Sequence, residues 1–207
     1  MTDLTLQVVV LRLVALVFIA AVHGFAVAAA AAALGDRGPR HDGRLTLDPL
    51  VHLDAVGTAS GVLFALGWIR PLAIDAAALR GGRLAAALIP LAGALATLAA
   101  AVALHAVRPL VLPLLPDTAS MAASVLVDIV GELGVWFALV NLVPLPPLTG
   151  ALFLAAVARE RGKALLDAAR RWQAVAGIML ALVAAPGAVT RAAAPLHDAV
   201  ARFLFGG

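Results

Sequence analysis

No cysteine occurs in the 207 residues, which excludes disulfides and thiolate metal sites. Charge is also scarce. Only 13% of residues are charged, against about 25% in a soluble domain. Hydrophobic residues make up 63%, and mean hydropathy is +1.04. These values predict an integral membrane protein, and the length suits one compact membrane domain. The pI near 10.9 arises from a net charge of only +3. The basic residues lie in short loops between apolar segments, so no nucleic-acid partner is expected. A basic start is missing as well: the first charge is Asp3, and no Lys or Arg precedes Arg12. A secretory signal wants a basic start and a short apolar core. The first segment is therefore expected to be a retained membrane helix. No internal repeat or low-complexity linker is visible beyond the alanine run 28–33.

What is present is a set of long apolar runs. A spanning helix needs about 20 predominantly apolar residues. Segments 5–34, 84–108, 120–142 and 172–190 meet that length. Pro90 is expected to kink the second, and Pro109, Pro113 and Pro116 to make the loop after it non-helical. Residues 55–68 are apolar but short, which suits a re-entrant or partly inserted segment ending at an interfacial Trp68. Alternation at Arg44–Asp48 reads as a strand, and Leu72–Ile74 as a short edge strand. Residues 150–158 read as a short helix, and the tail 191–207 as an amphipathic helix along the surface. The expected fold is thus an all-α integral membrane protein, with about four spans, a re-entrant segment and a small cytoplasmic strand region.

Loops 35–83 and 159–171 hold eleven of the fifteen basic residues. The positive-inside rule places both in the cytoplasm, with both termini outside, in what reads as a bacterial inner membrane.

His23 stands in Ala21-Val22-His23-Gly24-Phe25-Ala26-Val27, deep in the first apolar run. Far downstream comes Asn141-Leu142-Val143-Pro144-Leu145-Pro146-Pro147-Leu148-Thr149-Gly150. Together they resemble the two zinc-binding motifs of the site-2 protease family of intramembrane metallopeptidases, H-E-x-x-H and N-x-x-P-x-P-x-L-D-G. Leu34-Gly35-Asp36 and the run Gly43 to Thr58 extend the likeness, the latter against G-R-L-T-L-N-P-L-x-H-I-D-P-x-G-T. Gly67 to Pro71 matches G-W-x-x-P. Ala92 to Thr97 matches A-G-P-x-x-N, with the Pro and Asn replaced. The match covers roughly residues 17–155.

The resemblance implies a site-2-protease-like core, and it also locates what is missing. Gly24 stands where the family has its catalytic Glu, Val27 where it has a second His, and Thr149 where it has an Asp ligand. A catalytic zinc needs about three protein ligands and an open position, and a base toward the zinc-bound water. Only His23 remains, so no metal, cofactor or peptidase activity by the family mechanism is expected. His23 itself reads as a satisfied intramembrane histidine, bonded to a backbone carbonyl or to Thr149; the alternative is a metal ligand. His41, His52 and Asp54 could form a substitute site, but His52 and Asp54 read first as hydrogen-bonded loop residues. Asn141, Pro144 and Gly150 read as fold-motif residues.

Asp128 and Glu132 lie i and i+4 on one helix face. Charge at that depth is expensive and is usually paired or functional. Arg12 and Arg108 are the candidate internal partners, with another membrane subunit or a proton path as the alternatives. Three functions compete. The first is an inactive site-2-protease-like accessory or structural subunit of a larger membrane complex, embedded in the lipid bilayer among other integral membrane subunits. The second is a metallopeptidase with a displaced site. The third is a non-cleaving regulator that binds transmembrane segments.

Overall fold

A computed structural model describes residues 5–75, 78–157 and 187–206, together with Val175, Gly177 and Ile178. In chain order the helices named among the described residues are α1 (Leu6–Ala33), α2 (Gly38–His41), α3 (Ala55–Phe64), α4 (Gly82–Val111), α5 (Asp117–Val140), α6 (Leu152–Val157) and α7 (Ala188–Phe205). Short 3-10 turns occupy Pro49–Val51, Leu112–Leu114 and Thr149–Ala151. Among the described residues, three helical stretches are long and apolar enough to cross a membrane: Leu6–Ala33, Gly82–Leu114 and Asp117–Val140. The expected fourth span and the basic loop 159–171 lie outside the described residues, apart from the three isolated positions and the start of α7.

Local chemistry sets the helix ends. The Thr5 hydroxyl accepts from Val8 N–H and caps α1. Asp54 does the same for α3 through Gly57 N–H at 2.8 Å. These caps satisfy first-turn donors that have no partner within the helix.

α1, α4 and α5 pack on one another around Ala15, Leu16, Ile19, Ala20, Leu133 and Phe137. Two of these are alanine, which lets helix backbones approach closely where lipid offers no hydrophobic drive for association. Outward, α4 presents an exposed stripe of Leu84, Leu88, Leu91 and Leu95. Apolar residues on the outside as well as the inside suit a helix bathed in lipid.

α3 folds back along α1. His52, just before it, packs on Gly24, Gly61 packs on Leu16, and Arg12 Nη1 donates to Val62 O at 2.9 Å. Arg12 thereby caps the C-terminal turn of α3, whose carbonyls lack helical partners. The ten-residue helix is too short to span.

Three expectations need correction. No strand forms among the described residues; the segment 35–83 holds one isolated antiparallel bridge, Leu53 with Ile69. Within 44–48 only Arg44 is buried, turned inward to loop carbonyls, and no neighbouring strand pairs there. Trp68 is no interfacial anchor: it is 2% exposed, held against Gly57 and Gly177. Pro109 does not end its helix, since α4 continues to Val111 with both Pro90 and Pro109 inside it. The tail folds as α7 and packs on the bundle. Its His197 stacks on Trp136 of α5 at 4.4 Å, and its Phe205 reaches His105 of α4.

Candidate polar site at His23

α1 brings His23 into the interior, α4 brings Thr97, and the turn after α5 brings Thr149 and Asn141. All four side chains are buried. His23 Nδ1 lies 3.1 Å from Thr97 Oγ1, and His23 Nε2 lies 3.2 Å from Thr149 Oγ1. The two motif segments, 126 residues apart in sequence, therefore meet. Phe137 closes the site with its ring edge-on to His23 at 5.1 Å.

Counting protons assigns the tautomer. Thr97 Oγ1–H donates to Gly93 O at 2.9 Å, which uses its one proton. Thr97 must then accept from His23 Nδ1–H. That leaves Nε2 of the neutral ring as an acceptor, and Thr149 Oγ1–H is the donor placed to fill it. The nitrogen that could otherwise bind a metal already holds a hydrogen bond.

Asn141 ties this site to the fold. Its Nδ2 donates to Gly67 O and Phe137 O, both at 2.9 Å, and its Oδ1 faces Thr149 N and Oγ1 at 3.5 and 3.4 Å. Gly150 N donates to Asn141 O at 2.7 Å. A Cβ on Gly150 would stand 2.4 Å from Val143 O, so the turn through Pro144 closes only on glycine. Gly93 is equally constrained: a Cβ there would meet Val27 Cγ2 at 2.7 Å and His23 Nε2 at 2.8 Å.

The place of the missing Glu is filled. A Cβ on Gly24 would stand 2.3 Å from His52 Nδ1 and 2.5 Å from its Cγ. His52 is buried and fixed, with Nε2–H donating to Thr46 O at 2.8 Å. Burial holds its ring below the ordinary pKa of 6.5, and the Arg44 charge adds to that effect.

The rest of the run 43–58 serves the loop. Arg44 is buried, with Nη1 donating to Val51 O and Nη2 to Arg70 O at 2.8 Å and Pro71 O at 3.2 Å. Burial, then the charge of Arg70, lowers its pKa below the ordinary arginine value. Asp48 accepts from Leu50 N at 2.9 Å and caps the 3-10 turn.

The donors at His23 do not fit a zinc ion. One imidazole and neutral hydroxyls fall short of the three nitrogen, sulfur or carboxylate ligands that such a site uses. Val27 is apolar and buried. Among the described residues, no group of three His, Cys, Asp or Glu gathers to hold a metal. His52 is not joined by Asp54 in a second site: His52 bonds the loop, and Asp54 caps α3.

Of the charged residues in the spans, Arg108 Nη1 meets Asp128 Oδ1 at 2.6 Å. Arg108 Nη2 also donates to Ser124 Oγ, and His105 Nε2 lies 3.7 Å from the same carboxylate. Arg12 turns to Val62 O instead. Glu132 is exposed on α5, and among the described residues its carboxylate has no partner.

Thr97, Arg44 and the His52–Gly24 contact are central here and were not assigned such roles from sequence. Thr97 could be found as a lone hydroxyl inside an apolar run. The packing of His52 on Gly24 has no local signal.

The chain is 33% identical over 135 residues to a Bacillus subtilis (strain 168) protein described as "Putative zinc metalloprotease YwhC", covering 62% of this chain and 60% of that one. This supports a site-2-protease-like relationship. The chain thus spans less than two thirds of the length of that relative. No family model matches, and no solved structure matches.

Proposed function

We propose that this chain is a non-catalytic site-2-protease-like membrane protein that acts as an accessory or structural subunit of a larger membrane assembly. Its setting is a bacterial inner membrane, with segments 35–83 and 159–171 on the cytoplasmic side, as their basic residues favour. The observation that carries the non-catalytic reading is the double hydrogen bonding of His23 by Thr97 and Thr149, with His52 lodged where a base would project from position 24. Hydrolysis by the family mechanism needs a metal-bound water and a carboxylate base, and neither has side chains to supply it at this site.

The accessory reading is supported by Glu132. A charge at the middle of a span costs about 2.5–3.5 kcal/mol on insertion scales. Asp128 has Arg108 to offset that cost; Glu132 has no described partner. A neighbouring transmembrane helix carrying Lys or Arg at matching depth would supply one.

Co-purification in mild detergent tests this. A fixed partner set is expected, and Glu132→Gln is expected to release it while the melting of the isolated chain is unchanged. Zinc-dependent cleavage of a transmembrane substrate, or an assembly indifferent to Glu132→Gln, would overturn the proposal.

A further inference from the structure

α1 ends at Ala33 and α4 begins at Gly82, so both long helices leave the apolar layer at the same end of the bundle. Between them lies a cavity of about 620 Å³, lined by Gly35, Asp36, Arg37, Arg40, His41 and Arg80 among others. The backbone fixes its floor. Arg80 N donates to Leu34 O at 2.6 Å. Gly35 adopts φ +114°, a conformation that favours glycine, and a Cβ there would stand 3.0 Å from Ala78 O and 3.5 Å from Arg80 Cγ.

The charges in this pocket are unbalanced. Among the described residues Asp36 is its one lining carboxylate, and it is buried. Both of its oxygens are taken by backbone amides, Gly38 N at 2.8 Å and Asp75 N at 2.9 Å. Arg37, Arg40 and Arg80 are exposed, and among the described residues none has an ion-pair partner. Like charges gathered on one rim repel unless an anion joins them. Planar guanidinium groups match phosphate oxygens in pairs. Basic pockets where spans meet the interface are suited to anionic headgroups.

We infer that this pocket binds the phosphate group of an anionic ligand, its place at the ends of two spans favouring a phospholipid headgroup. The inference does not depend on whether the chain is catalytic. The bland alternative is that these arginines only set topology, in which case their charge matters and their position does not.

Native mass spectrometry of the full chain can separate the readings, using phosphatidylglycerol, phosphatidylcholine and inorganic phosphate as probes. Wild type is expected to retain phosphatidylglycerol about tenfold better than phosphatidylcholine, falling roughly fivefold in each of Arg40→Gln and Arg80→Gln. Arg83→Gln removes a nearby charge that does not line the pocket and is expected to leave retention unchanged. Displacement of the lipid by inorganic phosphate, lost in the same two variants, would support the site and extend it to soluble phosphate. Equal retention of both lipids by wild type, with no phosphate binding, would overturn the inference without any variant. So would a loss in Arg83→Gln equal to that in Arg40→Gln.

Discussion

The loop before and around α3 and the interior around His23 carry one family pattern to opposite ends. In the loop, Asp36, Arg44, Asp48, His52 and Asp54 stand in the runs that match the family, and each hydrogen-bonds to backbone. In the interior, three of the four positions that carry the family's chemistry hold Gly24, Val27 and Thr149. What remains there is polar but satisfied within itself. The difference separates two demands on one sequence: holding backbone in place needs the loop residues, while hydrolysis needs groups that are not there. The two motif segments, 126 residues apart in sequence, still meet through His23 and Thr149.

The largest effect should come from forcing the interior back toward the family pattern. Gly24→Glu drives a Cβ into the fixed His52 ring, and overpacking of this kind costs about 1–3 kcal/mol or more. Thermal melting in detergent should drop sharply, and adding His52→Ala should recover part of the loss. If Gly24→Glu melts like wild type, the two regions are not in contact as described.

Next is Arg44→Ala, which removes the donor from Val51 O, Arg70 O and Pro71 O. Leaving such carbonyls unpaired should cost about 2–3 kcal/mol. Limited proteolysis of segment 36–75 should rise before the bundle melts. Equal resistance to protease would mean that the loop does not depend on this residue.

A smaller, pH-dependent effect belongs to His52. Its folded pKa is lowered, so as pH falls the unfolded chain takes up the proton first. The stability is fully present above the ordinary pKa of 6.5 and is lost as pH falls toward the folded value, with a slope of at most about 1.4 kcal/mol per pH unit. His52→Gln should flatten that slope in melts taken from pH 7 downward. A slope unchanged in the variant would assign it to another group.

Some of this was open to sequence reading, and some was closed to it. The interior location of His23 follows from its apolar run, and Thr149 from its place in the second motif. Three of the spans follow from length and hydropathy, with ends shifted by a few residues because proline-containing turns remain helical near Pro109. The strand expectation at 44–48 fails because only Arg44 of that run turns inward, toward loop carbonyls rather than a sheet. Trp68 was placed at the interface from type and position, yet small neighbours at Gly57 and Gly177 leave room to bury it. The His52–Gly24 contact depends on α3 folding back along α1, which no local pattern encodes.

The smallest structural effect is expected at His23 itself. In His23→Leu, Thr97 still donates to Gly93 O and Thr149 can turn to Asn141 Oδ1, so the loss should be about 1 kcal/mol, in line with hydrogen bonds inside membrane proteins. A loss of several kcal/mol would mean that His23 holds something more than two hydroxyls.

The central claim is that the His23 site is a closed hydrogen-bonded cluster and not a metal centre. Zinc content of the gently purified full chain, measured beside His23→Ala, tests it most directly. The account predicts no stoichiometric zinc in either protein, even after incubation with added zinc. Stoichiometric zinc in wild type that disappears in His23→Ala would contradict it.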